Sequence, residues 1–372
     1  MSTAQSLIGN RYRLERSLGE GGMGQVFLAA DTLFQHKLVA LKLLKERMAE
    51  NESIRRRFDQ EIRVCAALAN VNIVQVTDCG VTEEGYPYYV MEYLDGRSLS
   101  SILAEEGRLS PERAVNIAIQ ICNGLAAAHE GFEYQGKKVT IVHRDLKPEN
   151  IFIVDSGMGE LVKILDFGIA KICSEIQSTI IPQTQQGMFL GTAHYSSPEQ
   201  IRVEPVGPTS DIYSLGVMLY EMLTGTDPFG LVAEGNTKMQ AWLKAHLNRP
   251  PIPLRQQPDC EHISPALEAV VMRCLEKSPD RRFPSAVALA AALQTAIQDN
   301  VAPVTVPLPP TATIPWGWLI ACLSVILVAI TVVVWLLATP TKKDECTFES
   351  DPNCYCEKQQ TQANPDPRCS AI

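Results

Sequence analysis

The sequence predicts a chain of the α+β class, with a β-rich amino-terminal part, a larger helical part and one transmembrane helix. Before Leu94, apolar and polar residues alternate in several short runs, as they do in β-strands. From Ser98 onward, apolar residues recur at helical spacing. The run from Trp316 to Ala338 carries no charge, and as a helix it is about 34 Å long, enough to cross a bilayer.

The composition is that of a globular protein. The 372 residues are 46% hydrophobic and 20% charged, which leaves room for more than one domain. The formal net charge of −9 argues against nucleic-acid binding. The basic run Arg55 to Arg57 is predicted to be a solvated helix face, with a phosphate or partner site as the alternative. Because no apolar stretch with a basic flank opens the chain, we expect no secretory signal peptide.

The first predicted strands surround a glycine-rich turn. Arg11 to Leu18 and Gln25 to Ala30 read as strands, and Gly19 to Gly24 joins them. Because a strand follows the glycines, we expect a lid whose backbone N–H groups approach phosphates; a dinucleotide-binding helix is the alternative. Val39 to Lys42 predicts a third strand, which ends in a cation.

Strands and then helices follow along the chain. Asn72 to Gly80 and Tyr86 to Tyr93 predict two more strands, after a helix over Ser53 to Leu68. Pro111 is expected to begin a long helix that Ser110 caps. Further helices are predicted over Ile212–Leu223, which Asp211 opens, and over Thr237–Leu247, Pro265–Leu275 and Ser285–Gln298.

The loop from His143 to Asn150 concentrates reactive groups. Asp145 can accept a proton or hold a hydroxyl group, Lys147 can neutralise a transferring phosphoryl group, and Asn150 can hold a metal ion. The apolar runs Val139–Val142 and Ile151–Val154 flank the loop, so we expect a rigid, hairpin-like edge around it.

The order of the motifs is more specific than any one of them. The motifs, in sequence, are Gly19–Gly24, Val39–Lys42, His143–Asn150, Asp166–Gly168 and Ser197–Glu199. This ordered set resembles the protein kinase signature, and Gly191–Gln200 is similar to that of bacterial-type serine/threonine kinases. The resemblance implies a bilobal kinase domain over residues 12–297, with ATP and Mg²⁺ as cofactors and Ser/Thr hydroxyls of proteins as acceptors.

The resemblance also implies roles for single residues. Asp145 would orient the substrate hydroxyl, Lys147 would stabilise the γ-phosphoryl oxygens, and Asn150 and Asp166 would hold Mg²⁺. Lys42 would contact the α- and β-phosphates and pair with an acid on the next helix. Glu61 is the predicted acid, and Asp59 is the competing one. The expected nucleotide contacts are Leu18, Gly19, Gly21, Gly24, Val26, Ala40, the gatekeeper Met91, the hinge residues Glu92 to Leu94, and Phe152.

Other residues are expected to support or regulate the site. His143 is predicted to pack behind Phe167, and Arg144 to neutralise a phosphate added to the segment before Glu199. We expect autophosphorylation within Ser178 to Thr184, with Thr184 slightly favoured, while Thr192 contacts Asp145.

The larger lobe is expected to carry structural contacts. Glu199 should pair with Arg282, and Asp211 should bind the catalytic-loop backbone. His129 is predicted to be structural rather than catalytic, and Ser197 stands where an alanine is usual. The chain departs from the family at Phe132 to Thr140, an insertion predicted to be a surface loop, with a docking loop as the alternative.

The last part of the chain is predicted to anchor it to a membrane. Residues 299–315 contain five prolines and form a semi-rigid linker, followed by the span 316–338 with tryptophans near its ends. The tail, 341–372, holds four cysteines: Cys346, Cys354, Cys356 and Cys369. Two disulfides are expected among them, with a zinc site as the alternative.

The orientation of the span is contested within the sequence. Lys342 and Lys343 favour a cytoplasmic tail by the positive-inside rule. The need of a kinase for ATP and the clustered tail cysteines favour a cytoplasmic kinase domain and an outer tail, which we adopt. Two rival functions remain. One is a scaffold that binds nucleotide but transfers no phosphate, and the other is a receptor whose main task is ligand binding by the tail. A homodimer is left open.

Overall fold

A computed structural model describes residues 7–20, 24–44, 62, 66, 68–134, 137–166, 193–232 and 238–298. The chain divides after Ala302, and all of these residues belong to the first unit. Within these ranges, no helix is both long enough and apolar enough to cross a membrane. The predicted span, the proline-rich linker and the cysteine-containing tail lie outside the described residues.

The amino-terminal lobe is built on one six-stranded antiparallel sheet. Its strands are β1 (Leu7–Ile8), β2 (Tyr12–Glu20), β3 (Gly24–Asp31), β4 (Lys37–Leu44), β5 (Val76–Val81) and β6 (Pro87–Glu92). Their order across the sheet is β1-β2-β3-β4-β6-β5. The predicted strands are confirmed, but β5 begins at Val76 and not at Asn72, because residues 70–75 make turn and bridge contacts instead.

The register of this sheet decides which residues face the rest of the protein. Residues directly opposite one another in antiparallel strands point to the same face. Val26 lies opposite Lys42 and Lys42 opposite Tyr89, while Ala40 lies opposite Met91. These residues therefore share one face, and the predicted nucleotide contacts Val26, Ala40, Lys42 and Met91 are brought together on it. The other face packs a separate apolar cluster: Tyr12, Ala29, Val39, Leu41, Tyr88 and Val90.

The carboxy-terminal lobe is helical. Its helices are α1 (Leu99–Glu106), α2 (Pro111–Glu130), α3 (Pro198–Ile201), α4 (Pro208–Thr224), α5 (Met239–Asn248), α6 (Pro265–Cys274) and α7 (Ala286–Gln298). Helix α2 begins as predicted, with Pro111 in its first turn and the Ser110 hydroxyl accepting a hydrogen bond from the Arg113 amide. Helix α4 begins at Pro208, so Asp211 lies within its first turn rather than opening it.

Helix α4 is the centre of this lobe. Nearly every residue from Ser210 to Leu223 is buried, and the helix packs against α2 and α6. At Gly216 a Cβ atom would lie 2.5 Å from the Cβ of Cys274, so α4 and α6 approach closely only because this residue has no side chain. Helices that are apolar all round belong in a core. The two-lobed arrangement expected from the sequence is confirmed.

Two small sheets lie outside the first one. Strands β7 (Gly96–Ser98), β10 (Ile151–Asp155) and β11 (Glu160–Ile164) form a three-stranded sheet in the order β11-β10-β7. Strands β8 (Phe132–Tyr134) and β9 (Lys137–Val139) form a hairpin inside the predicted insertion. Of the apolar run Val139–Val142, Val139 is the last residue of β9 and the following residues are not in a strand, so β10 directly follows the catalytic loop whereas β9 ends before it.

Candidate active site

The loop between β9 and β10 gathers the three polar groups that the sequence singled out. The Lys147 ammonium lies 2.8 Å from Asp145 Oδ2. The Asn150 amide group donates hydrogen bonds to the Asp145 carbonyl at 2.8 Å and to Asp145 Oδ2 at 3.2 Å. One oxygen of the Asp145 carboxylate is thus held by a cation and an amide, which fixes the orientation of the side chain.

Among the described residues, the second oxygen of the Asp145 carboxylate lacks such partners. Asp145 Oδ1 is inaccessible to solvent and has no hydrogen-bond partner among the residues that the structure describes. A buried acceptor without a partner costs free energy, about 1–3 kcal/mol, so such atoms are rare in folded proteins. An acceptor of this kind in a catalytic loop is suited to receive a hydrogen bond from a substrate hydroxyl group.

Lys42 and Asp166 meet across the two lobes. The Lys42 ammonium lies 2.6 Å from Asp166 Oδ2, and the hydroxyl of Tyr89 donates a 2.7 Å hydrogen bond to Asp166 Oδ1. Burial alone would raise the pKa of Asp166, but the charge of Lys42 and the hydrogen bonds from Lys42 and Tyr89 lower it below its usual value. Asp166 is therefore a carboxylate, the state in which it can ligate a cation.

The backbone of the catalytic loop is anchored to α4. Asp211 accepts hydrogen bonds from the amides of His143 at 2.8 Å and of Arg144 at 2.9 Å, as predicted. His129 lies 2.8 Å from the same carboxylate, which confirms its structural role. His143 is fully buried, and its Nε2 lies 2.8 Å from the Leu165 carbonyl, so it links the loop to the segment that carries Asp166.

The buried ion pair predicted in the larger lobe is present. Arg282 Nη1 and Nη2 lie 2.7 and 2.8 Å from the two carboxylate oxygens of Glu199. Both side chains are almost completely buried, at 0% and 2% exposure. Burial would raise the pKa of Glu199, but hydrogen bonds from Arg282 and Ser210 and the charge of Arg282 lower it. The pair fixes α3 to the core of the lobe.

The strand that leads to the interlobe connection is also fixed. Glu92 Oε1 lies 2.7 Å from the Lys163 ammonium and accepts a hydrogen bond from the Gln75 amide at 2.9 Å. The predicted gatekeeper Met91 is buried, and Leu94 packs against the main core. The end of β6 is therefore held from β11 and from the segment before β5, which positions the backbone expected to bind adenine.

Two of the expected lid glycines are described, and they differ in their surroundings. A Cβ atom on Gly24 would lie 2.3 Å from the Leu43 carbonyl oxygen, whereas one on Gly19 would meet nothing within 4 Å. Gly24 is thus required by the close approach of β3 to β4. Leu18 is exposed on β2, and Phe152 lies on β10 opposite Lys163.

Several predicted site residues lie outside the described residues. These are Glu61 with its competitor Asp59, the lid residue Gly21, Phe167, Thr192, and the predicted phosphosites from Ser178 to Thr184. Their roles stay predictions. The Lys42–Asp166 contact is described, and it involves an acid other than the one predicted as the partner of Lys42.

Three contacts of the site were not foreseen from the sequence. Tyr89 binds Asp166, Lys163 binds Glu92, and Gln200 donates a 2.7 Å hydrogen bond to the Arg144 carbonyl. The alternation of β6 places Tyr89 on the same face as Met91, which was a usable signal for the first contact. The other two join residues far apart in sequence and carry no local signal.

Known proteins resemble this chain over the region just described. A family model described as the protein kinase domain matches residues 12–294. Serine/threonine-protein kinase A of Synechocystis sp. is 43% identical over 284 residues, which are 76% of this chain and 52% of that protein. Serine/threonine-protein kinase PknB of Mycobacterium tuberculosis is 38% identical over 296 residues, covering 78% of this chain and 44% of that protein.

The likeness extends to solved structures but not to the whole length of the relatives. The crystal structure of the Mycobacterium tuberculosis PknI kinase domain superimposes with a TM-score of 0.56 and 25% identity, over 80% of this chain and 99% of that one. This chain spans about half the length of the curated relatives that it matches.

Proposed function

Because this chain belongs to the protein kinase domain family, we propose that it is an ATP-dependent protein kinase that phosphorylates serine and threonine hydroxyls. The single observation that carries the proposal is the state of Asp145. Its carboxylate has one oxygen held by Lys147 and Asn150 and a second, buried oxygen with no partner among the described residues. That arrangement fits the orientation of an acceptor hydroxyl for phosphoryl transfer.

The chain's own residues supply positioning and charge. Asp145 accepts the hydrogen bond of the attacking hydroxyl, and Lys147 lies beside it to neutralise charge on the phosphoryl oxygens. In the proposed mechanism Lys42, on β4, contacts the nucleotide phosphates. Its ammonium group either leaves Asp166 to do so or contacts both Asp166 and the phosphates. Because the transition state of phosphoryl transfer is loose, alignment contributes more than the basicity of Asp145.

The donor set near Asp145 fits a hard divalent cation. The carboxylate of Asp166 and the amide oxygen of Asn150 are oxygen ligands of the kind that Mg²⁺ prefers. The Asn150 amide nitrogen is already engaged with Asp145, so its oxygen is the atom left to ligate. A Mg²⁺ ion held there would supply positive charge beside the phosphates of ATP. Asp166, kept ionised by Lys42 and Tyr89, is the ligand that the proposal depends on most.

The test uses the purified full chain with Mg²⁺, labelled ATP and a generic acceptor protein. We expect phosphate on serine and threonine, and none in an Asp145→Asn variant that still binds nucleotide. Nucleotide binding without any transfer by the native chain would refute the proposal and favour the scaffold. The contacts of the site residues are the observation against that rival. Lys42 lies 2.6 Å from Asp166, and Asn150 donates to Asp145.

We also propose a membrane-anchored arrangement, which the run of uncharged residues from Trp316 to Ala338 supports. In it the kinase domain is cytoplasmic, the tail is outside, and the chain phosphorylates itself within Ser178 to Thr184. Fractionation of cells that express the full chain, with protease added from the outside, tests the anchor and its direction. Phosphopeptide mapping tests the sites, and crosslinking in membranes tests a homodimer.

A further inference from the structure

The short helix α3 makes a contact with the catalytic loop that the proposed mechanism does not use. Gln200, at the third position of α3, donates a 2.7 Å hydrogen bond from Nε2 to the carbonyl oxygen of Arg144. That carbonyl belongs to the same peptide group as the amide of Asp145. The contact therefore bears on the backbone of the residue placed to bind the substrate hydroxyl.

The orientation of the Gln200 side chain is fixed by its other end. Gln200 Oε1 accepts hydrogen bonds from the Ser197 amide at 2.9 Å and from the Ser197 hydroxyl at 3.1 Å. Ser197 and Gln200 form a capping box, in which each residue satisfies an amide at the start of the helix. A rotated amide group would set its oxygen against the Arg144 carbonyl and its NH₂ against the Ser197 amide, so one orientation alone is satisfied.

The peptide groups on both sides of the Arg144 Cα atom are restrained. In the first, the Arg144 amide donates to Asp211 at 2.9 Å; in the second, the Asp145 amide donates to His143 Nδ1 at 3.3 Å. Arg144 has a φ of 66°, a conformation that an L-residue adopts only under constraint. Among the described residues, Gln200 provides the restraint on the carbonyl side of this strained position.

The other end of this connection is rigid. Gln200 follows Glu199, whose carboxylate is buried against Arg282. Because α3 is held firmly by this ion pair, the Gln200 side chain can hold the Arg144 carbonyl in a fixed position relative to the helix. Since a displacement of about 1 Å in an aligned reaction can cost about 100-fold in rate, a fixed carbonyl at this point matters for transfer.

We propose that Gln200 is a positioning residue for phosphoryl transfer, which holds the Arg144–Asp145 peptide in place from α3. The inference rests on the proposed function, because it assigns Gln200 a role through Asp145. It also assigns Ser197 a separate role, that of capping α3. The two roles can be divided by substitution, because the donated and the accepted hydrogen bonds of Gln200 come from different atoms.

The decisive variant is Gln200→Glu. A glutamate at this position keeps the capping box, since its oxygens still accept from Ser197, but it cannot donate to the Arg144 carbonyl. Gln200→Met removes the donor without adding a charge, and it also removes the oxygen that accepts from Ser197. The matched control is Ser197→Ala, which loses the capping hydroxyl and leaves the Gln200–Arg144 hydrogen bond in place.

Three measurements on the full chain separate the outcomes: kcat and the KM for ATP, the melting temperature, and hydrogen exchange in the peptide that covers His143 to Asn150. For Gln200→Glu and Gln200→Met we expect kcat to fall about 10- to 100-fold, with an unchanged KM for ATP and faster exchange in that peptide. For Ser197→Ala we expect a lower melting temperature with native kcat and native exchange.

Distinct results would overturn the inference. Native kcat and native exchange in Gln200→Met would remove the positioning role, and an effect confined to Gln200→Glu would assign the loss to the added charge. An equal loss of kcat in Ser197→Ala would trace it to the helix cap. If the native chain transfers no phosphate, the proposed function fails, and the exchange measurement still decides whether Gln200 holds the loop.

Discussion

The ion pair between Glu199 and Arg282 gives the sharpest prediction of stability, for the variant Arg282→Met. In the native protein Arg282 binds both oxygens of Glu199 and donates to the carbonyls of Thr209 at 2.8 Å, Glu276 at 2.8 Å and Lys277 at 3.1 Å. Methionine is unbranched and apolar, is shorter than arginine and has no donor. The substitution therefore leaves a buried carboxylate without its counter-charge and removes the partner of three carbonyl groups.

Removal of one member of a buried pair costs about 3–5 kcal/mol, because the remaining charge is uncompensated. The total free energy of unfolding of a domain is about 5–15 kcal/mol, so Arg282→Met is expected to remove a large part of it. Urea unfolding of the full chain, followed by tryptophan fluorescence, measures the loss. Adding Glu199→Gln to Arg282→Met should recover part of it, since the double variant buries no net charge.

An exposed pair serves as the matched control. Arg97 and Glu105 also form an ion pair, but their side chains are 49% and 69% exposed. Arg97→Met should cost less than about 1 kcal/mol, as is usual for surface pairs. A loss in Arg282→Met no larger than in Arg97→Met would refute the reasoning that burial makes the first pair indispensable.

Three further predictions follow from described contacts. Burial, with the nearby charge of Lys277, lowers the pKa of His246 from 6.5 to about 3. Between these two pH values His246 is protonated in the unfolded chain but not in the folded one, so the free energy of unfolding falls as the pH drops from 6.5 to about 3. His246→Asn should flatten the curve of unfolding free energy against pH over that range. Lys163→Met removes the cation bound to Glu92, and calorimetry should show weaker binding of a non-hydrolysable ATP analogue, whereas Arg97→Met should bind it as the native chain does. Gly24→Ala places a Cβ atom 2.3 Å from a backbone oxygen and should lower the melting temperature, whereas Gly19→Ala should not.

The catalytic loop shows what sequence alone can predict. Asp145, Lys147 and Asn150 lie within six positions, so local chain geometry brings them together, and their ordered spacing identified them. The Glu199–Arg282 pair joins distant residues and was predicted through the resemblance to a family. For strands and helices with strong apolar periodicity, the predicted ends lie close to the observed ones.

Contacts that depend on tertiary packing could not be predicted from the sequence. The alternation of β6 places Tyr89 on the face of Met91, but whether its hydroxyl reaches Asp166 depends on how the two lobes meet. The run after Val139 had the apolar character of a strand, but no neighbouring strand pairs with it in the described residues, so the propensity was overridden. The same holds for Gln200, whose partner lies 56 positions away.

The left-handed backbone at Arg144, with a φ of 66°, has a consequence for laboratory evolution. This conformation costs an arginine about 1–2 kcal/mol relative to glycine, and asparagine tolerates it better. A screen that rewards heat resistance alone would therefore enrich glycine or asparagine at this position. Those variants would lose the Arg144 side chain, so a screen that is meant to keep the proposed kinase activity must select for that activity at the same time.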